Sequence, residues 1–418
     1  MSSGPTTRVA TALASALVFA AAAGCSTRAE DDGAPAGGGD AAGGEVQTDV
    51  GVEGDTITLG ALTDLTGVFA ALGRDITNAN ELYWSENDVC GQYNVELNVQ
   101  DAGYNVQRAV QLYSSMEPDI LAMNQLLGSP INTALAPELE ADEMNSYPSA
   151  WSETLTLIPG TGVPGATYDV EIANLYDYAF QEGLLAEGDT VGHIYFEGEY
   201  GANGLEGSQA VAEAKGLTLI EREITPQEQD MSAIVSQFAA EGVDAIALTV
   251  APTQTASVAA AAQAQGLDVP LLGSNPVFAP GLLQGAAAQK LKDDLYIASP
   301  VSSFDANPEL LEAYEAAYPG AAPSLGVLVG YGMSAVMDTV LDQACENGDL
   351  TRAGVLEAFN ELESVDTGGV LVPIESFQQG QTPSLQSFIL RPADVPGGAT
   401  VAADAFEGEF AADLAPAD

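Results

Sequence analysis

His193 is the only histidine in the chain, and it sits inside the strand-like run VGHIYF with no Cys, Asp or Glu at a ligand spacing. A catalytic histidine needs a placed nucleophile and an orienting partner. Neither is in view, so His193 reads as a satisfied strand residue. One histidine also excludes a histidine-based metal centre by count. Carboxylates are too many and too evenly spread for one pair to stand out as acid and base, and calcium-loop spacing is absent. Gly201-x-x-Gly204-x-x-Gly207 lacks the phosphate-loop pattern, and no Lys follows it. The chemistry expected is binding rather than turnover, with no enzyme activity, no metal and no cofactor.

The cysteines carry a different message. Arg8 precedes an apolar run over 9–23, then Gly24-Cys25-Ser26. That run is short for a bilayer of roughly 30 Å and has the form of a secretory signal. Its Ala-Gly-Cys ending resembles the bacterial lipoprotein signal, with Ala22 standing where Leu is usual. The resemblance implies lipid attachment at Cys25 after removal of 1–24, and anchoring at the outer face of the cell membrane. With Cys25 lipidated, Cys90 and Cys345 remain as an even pair in an exported protein, and a disulfide between them is expected. Two free thiols are the alternative.

Net charge is −50, from 60 acidic and 10 basic residues. Nucleic acid and anionic membrane surfaces both require clustered Lys and Arg, so neither is an expected partner. A solvated acidic surface is the plainer reading, with an acidic patch steering a cationic ligand as the sharper one.

Small polar and aromatic residues recur where strands should end: Phe69 and Leu72, Ser129, Trp151, Tyr200 and Asn275. Each alone is as readily a packing residue. As a set they suit a small organic ligand enclosed between two α/β bodies. The elements that must carry them follow from periodicity. Ile57, Leu59 and Ala61 alternate, then Leu72, Ile76, Ala79 and Tyr83 take helical spacing, and Val95, Leu97 and Val99 alternate again up to Asp101. This strand–loop–helix–strand order opens a parallel sheet, whose ligands bind outside the carboxyl ends of the strands. On that reading Gly67 and Gly73 are expected to let the backbone approach a solute. The device recurs through Ile120–Met123 and Asn145–Ser152. After the breaker cluster IPGTGVPG (158–165) a second αβ series runs to Gly273, with a further strand at Leu295–Ser299 and another break at Pro300. Residues 369–391 read as strand with QQGQ as a turn.

At this point the sequence resembles a known family. Leu65-Thr66-Gly67-x-x-Ala70-x-x-Gly73 looks like the opening loop of the branched-chain amino-acid type solute-binding proteins of ABC transporters. Asp101-Ala102, Ala109-Val110, Gly128-Ser129, Ala136-Pro137, Ser149-Ala150, Tyr200-Gly201, Asp230-x-Ser232, Asp244-Ala245, Gln263-Ala264, Gly266-Leu267 and Pro270 follow in order, covering about residues 56–390. The resemblance implies an α/β type I periplasmic-binding fold. Two Rossmann-like lobes, each a parallel sheet with helices on both faces, are joined by three hinge crossings near 160, 300 and 370. The expected organisation is a tether over 25–52, lobe I over 53–160 and 301–370, lobe II over 161–300 and 371–395, and an acidic tail over 396–418. Ligand contacts are implied at Phe69, Leu72, Ser129, Ser149, Ala150, Trp151, Tyr200, Ala251 and Asn275. The implied function is capture of a small solute, delivered by a monomer to an ABC permease. A sensor reporting to a separate receptor is the alternative. Two departures bear on the solute. Asn275 stands where the family commonly places an acid for the ligand amine, and Trp151 replaces a small residue. Both point away from a branched-chain amino acid and toward a ligand with an aromatic or larger apolar part; an amino acid and an aromatic or apolar carboxylate without an α-amine both stay open as the solute.

Overall fold

The structure, a computed structural model, describes residues 46–362 and 364–414. The signal segment, Cys25 and most of the tether lie outside the described residues.

Lobe I begins with β1 (Gln47–Thr48), β2 (Val52–Glu53) and β3 (Thr56–Thr63), followed by α1 (Ala70–Glu86), β4 (Asn94–Asp101) and α2 (Val106–Met116). It continues through β5 (Met123–Leu127), α3 (Ser129–Ala141) and β6 (Ser146–Ser149). Strand β3 is central. It pairs in parallel with β4 from Thr56↔Asn94 to Thr63↔Asp101, and with β5 on its other edge, which in turn pairs with β6. Ile57, Leu59 and Ala61 are fully buried, and from Leu59 onward both faces are covered. This burial follows from parallel sheets being clad by helices on both sides. Asn105 caps α2, its side chain accepting from the Arg108 N–H at 2.9 Å.

Lobe II takes α4 (Tyr168–Gln181), β7 (Thr190–Phe196), α5 (Glu199–Lys215), β8 (Thr218–Ile224), α6 (Ser232–Glu241), β9 (Ala245–Thr249), α7 (Pro252–Gln265), β10 (Leu271–Gly273), α8 (Ala288–Asp294) and β11 (Leu295–Ser299). The chain then returns to lobe I with α9 (Pro308–Ala317), α10 (Gly326–Glu346), β12 (Asp349–Leu350) and α11 (Arg352–Glu361). It ends in lobe II with β13 (Gln386–Pro392), β14 (Ala399–Glu407) and α12 (Ala411–Leu414). Strand order there is β14-β13-β11-β10-β9-β7-β8. The three passages between lobes run over 150–167, 300–307 and 362–385.

Both sheets are parallel-dominated as expected, with antiparallel strands at their edges, and three expectations about chain segments are corrected. The lobe II sheet is mixed, because β13 runs antiparallel to β11 and β14 antiparallel to β13. Lobe I likewise carries the antiparallel β2 against the start of β3. The segment 396–418 is therefore not simply a tail: Ala399–Glu407 is an edge strand. The tether gives way to structure before residue 52, since Gln47 and Thr48 pair with Asp349 and Leu350. Residues 369–385 form no strand of their own, and regular pairing resumes only at Gln386.

Helix α10 closes lobe I. Val327, Leu328, Met333, Val336, Met337, Val340 and Leu341 on it are fully buried, each contributing about 1.5–3 kcal/mol of transfer free energy before entropy is counted. Gly330 faces α1, where any Cβ would overlap the Ile76 carbonyl. Cys90 and Cys345 are disulfide-bonded with Cα atoms 6.3 Å apart, tying the end of α10 to the loop after α1. Gly201, Gly204 and Gly207 let α5 lie close: a Cβ would overlap the carbonyls of Phe196 and Asp169 at the first and last, and the Thr249 side chain at the middle one. The glycine triplet is thus a packing device.

Candidate functional site

A cavity opens between the lobes at the carboxyl ends of their strands, with about 660 Å³ of space free of protein atoms, its mouth included. That figure takes in open solvent; the space that the centre of a water-sized sphere can occupy is about 60 Å³. Of the nine residues expected to contact a ligand, Phe69, Leu72, Ser129, Ser149, Trp151, Tyr200 and Asn275 line it. Ala150 and Ala251 do not. Ala150 is buried between the two lining residues Ser149 and Trp151, and Ala251 is spent on α7, its carbonyl accepting from Gln254 and Thr255.

The first loop places Phe69 and Leu72 through a residue the sequence reading passed over. Buried Asp64 accepts from the N–H groups of Thr66, Gly67 and Phe69 and so curls the loop into α1. Gly67 and Gly73 serve this curl. A Cβ on Gly67 would crowd the Asp64 carboxylate, and one on Gly73 would overlap the Asp64 carbonyl. Neither glycine lines the cavity, so their expected approach to a solute is corrected to an approach to Asp64.

Ser129 opens α3 beside Gly128, whose φ of +104° turns β5 into the helix. A Cβ on Gly128 would meet the Tyr104 ring at 2.7 Å, so the glycine also lets that ring stack over the turn. The Ser129 hydroxyl is buried without a hydrogen-bond partner and faces the cavity at a helix N-terminus. Helix N-termini favour anions. The Ser149 hydroxyl nearby has the Met333 sulfur, at 3.8 Å, as its hydrogen-bond partner.

Aromatic rings make the walls. Phe69 stands edge-on to Tyr104 at 5.0 Å and, across the cleft, to Tyr200 at 6.3 Å. Trp151 spends its indole N–H on the Pro164 carbonyl at 3.1 Å and packs against Tyr168, which lies 4.6 Å from Tyr200. The Tyr200 hydroxyl donates to the Val250 carbonyl at 3.1 Å and lies 2.9 Å from the Ser274 hydroxyl. Burial pushes the phenols of Tyr104, Tyr168 and Tyr200 well above their ordinary range, so they are neutral. A further apolar wall comes from Ile76, Phe278, Val301, Leu325 and Val329. The cavity has six aromatic side chains and no charged one.

Asn275 is half-buried, and its partner was also unforeseen. Its side-chain N–H₂ donates to both oxygens of Glu171, at 2.9 and 3.2 Å, and its backbone N–H donates to Oε2 at 3.2 Å. Glu171 is fully buried on α4, one side chain behind the cavity wall. Burial pushes its carboxyl up to about 8, against the Asn275 hydrogen bonds that lower it and with the Asp169 charge raising it further. An acid thus stands directly behind Asn275, in a second layer. Tyr104, Tyr168, Phe278 and Glu171 were missed. Tyr104, three residues past Asp101, meets the strand-end criterion; Tyr168 and Glu171 lie on a helix whose spacing is legible, but neither follows a strand, so that criterion passes over both.

The match to known proteins rests on this architecture. A family model described as periplasmic binding protein matches residues 56–396. A fatty acid ABC transporter substrate-binding protein from Thermomonospora curvata is 37% identical, with 88% of this chain and 97% of that one covered and a TM-score of 0.86.

The chain belongs to the periplasmic binding protein family.

It is accordingly an extracytoplasmic solute-binding protein of the ABC-transporter kind, not an enzyme. Two more distant solved structures share the fold. One is a branched-chain amino acid ABC transporter protein from Thermus thermophilus with bound valine, at 17% identity over 86% of this chain and 98% of that one, TM-score 0.75. The other is a solute-binding protein from Rhodopseudomonas palustris in complex with 3,4-dihydroxybenzoic acid, at 19% identity over 85% and 98%, TM-score 0.71. Comparison by sequence with curated proteins finds no significant match. Among the described residues no helix is long and apolar enough to cross a membrane, and no cluster of His, Cys, Asp and Glu could hold a metal ion.

Proposed function

We propose that this protein captures an apolar organic carboxylate, of the fatty-acid or aryl-acid kind, between its lobes and passes it to an ABC permease from a lipid anchor at Cys25. The carrying observation is the cavity lining: six aromatic side chains, an aliphatic wall, an orphan hydroxyl at a helix N-terminus and no charged side chain. A carboxylate would find donors at Ser129, Ser149 and the start of α3. An α-ammonium would lose its water with no ion pair on the lining to offset that loss. The fatty-acid assignment of the relative from T. curvata supports the same class.

A thermal-shift screen with octanoate, palmitate, benzoate, leucine and valine tests this. Ligand at a hundred times its Kd adds about 2.7 kcal/mol to stability. The acids should shift the melting temperature and the amino acids should not. A largest shift with leucine or valine overturns the reading.

A further inference from the structure

Glu171 is a fully buried carboxylate with no basic partner. None of the salt bridges among the described residues reaches it, and the side chains acting on it are Asn275, Asp169 and the phenols of Tyr168 and Tyr200. Burying an unpaired charge is costly, so such a group stays only where hydrogen bonds hold it or a proton neutralises it. Here the hydrogen bonds come from Asn275, a cavity-lining residue, and they fix which way its amide faces. An ionised carboxylate only accepts. It therefore takes the N–H₂ of Asn275 and leaves the Asn275 carbonyl oxygen for the cavity, where it repels an incoming carboxylate. A protonated carboxyl has an O–H to give. The Asn275 carbonyl can receive it, and the amide then turns its N–H₂ into the cavity as a donor.

We propose that Glu171 and Asn275 form a proton-dependent selector, in which capture of an organic anion is coupled to uptake of one proton by Glu171. The step conserves atoms: solvent supplies the proton, Glu171 binds it, and the Asn275 amide exchanges acceptor for donor toward the ligand. The inference rests on the carboxylate reading given above. It makes Glu171 a positioning residue that acts through Asn275. Linkage fixes the sign. A bound anion favours the protonated carboxyl, so affinity is flat where Glu171 is already protonated in the free protein. It falls as pH rises through the free-protein titration, by up to about tenfold per unit. The Asp169 carboxyl, pushed up by burial to about 6, is ionised over most of that range and sharpens the requirement.

The test is calorimetry of the whole protein with octanoate, palmitate and benzoate, from about pH 6.5 to about 9.5, in buffers of different ionisation enthalpy. The ligands' own carboxyls titrate far below this range. Expected are weakening affinity above about pH 8 and proton uptake approaching one per ligand at the upper end. Octanamide, which carries no charge, should take up no proton. Glu171→Gln should flatten the profile and abolish uptake, whereas Asp169→Asn should keep both; the wild-type profile stands as evidence if either variant folds poorly. Binding of an acid with a flat profile and no uptake overturns this inference alone. Failure of every acid to bind overturns the functional reading and this inference with it. Valine binding more tightly as pH rises would place an ammonium against Glu171 and overturn both.

Discussion

Ser129 shows how a residue can cost stability in the empty protein and return it on binding. Its hydroxyl is buried without a partner, and an unmet buried hydroxyl carries a desolvation penalty of about 1–3 kcal/mol. Ser129→Ala should therefore leave the empty protein as stable as wild type or slightly more so. The same change should weaken binding of a carboxylate by roughly tenfold to a hundredfold, the range of a hydrogen bond to a charged group. Denaturant melts and titration calorimetry separate the two effects; equal losses in both would make Ser129 a packing residue. Ser129 was legible in the sequence because it follows a strand and a glycine. Ala251 satisfies the same positional rule yet is consumed as the start of α7, its side chain away from the cavity. Position at a strand end selects the right turn but cannot choose between the residue that caps the next helix and the one that faces the ligand. Asp64 and Glu171 were illegible for another reason. Each acts through hydrogen bonds to a loop, and among 60 acidic residues no spacing marks which few are buried.

At the scale of elements, local periodicity located β3, α1 and the second αβ series because each buries one face or both. It misjudged the chain ends. Strand β14 carries Asp404, Glu407 and several alanines, a composition that reads as solvated tail. As an edge strand it needs only one covered face and one hydrogen-bonded neighbour: β13 is the neighbour, and Ala403 and Phe406 pack on the lobe II core. The same holds for β1, whose two residues are ordered by a partner three hundred positions later. The α1–α10 contact is likewise invisible in sequence but sharply constrained in space. Gly330→Ala should destabilise lobe I by about 1–3 kcal/mol, since its Cβ has only the Ile76 backbone to displace. Gly281→Ala is the matching control: a Cβ there would have no atom within 4 Å, so the change should be near neutral. A lowered urea midpoint for the first and an unchanged one for the second would confirm that helix approach sets the glycine; equal effects would refute it.

For the molecule as a whole, the acidity and the buried carboxylates act on stability in the same direction. Glu171 is pushed up to about 8, and Asp169 and Asp338 to about 6, all chiefly by burial. A carboxyl whose folded pKa lies above its unfolded value binds its proton more tightly in the folded state. Its contribution is complete below the unfolded pKa and is lost as pH rises through the folded one. These three groups therefore favour the folded state as pH falls from about 8.5 to about 5. Asp101 works the other way: burial opposes it, but the N–H groups of Leu65 and Gly103, the Thr66 hydroxyl and Arg108 hold it below its ordinary range. Its contribution is present above its unfolded pKa and disappears only in stronger acid, so it does not compete within that window. Self-repulsion from a net charge of −50 also eases as carboxylates protonate, and unlike the buried groups it is screened by salt. The melting temperature should rise by about 5 °C or more from pH 8.5 to pH 5. In about 1 M salt, where the screening length is only about 3 Å, part of the rise should persist, and Glu171→Gln should remove the portion above about pH 7. A melting temperature that is flat across this range in high salt would mean that the buried carboxylates titrate alike in both states, and that surface charge alone accounts for any pH dependence at low salt.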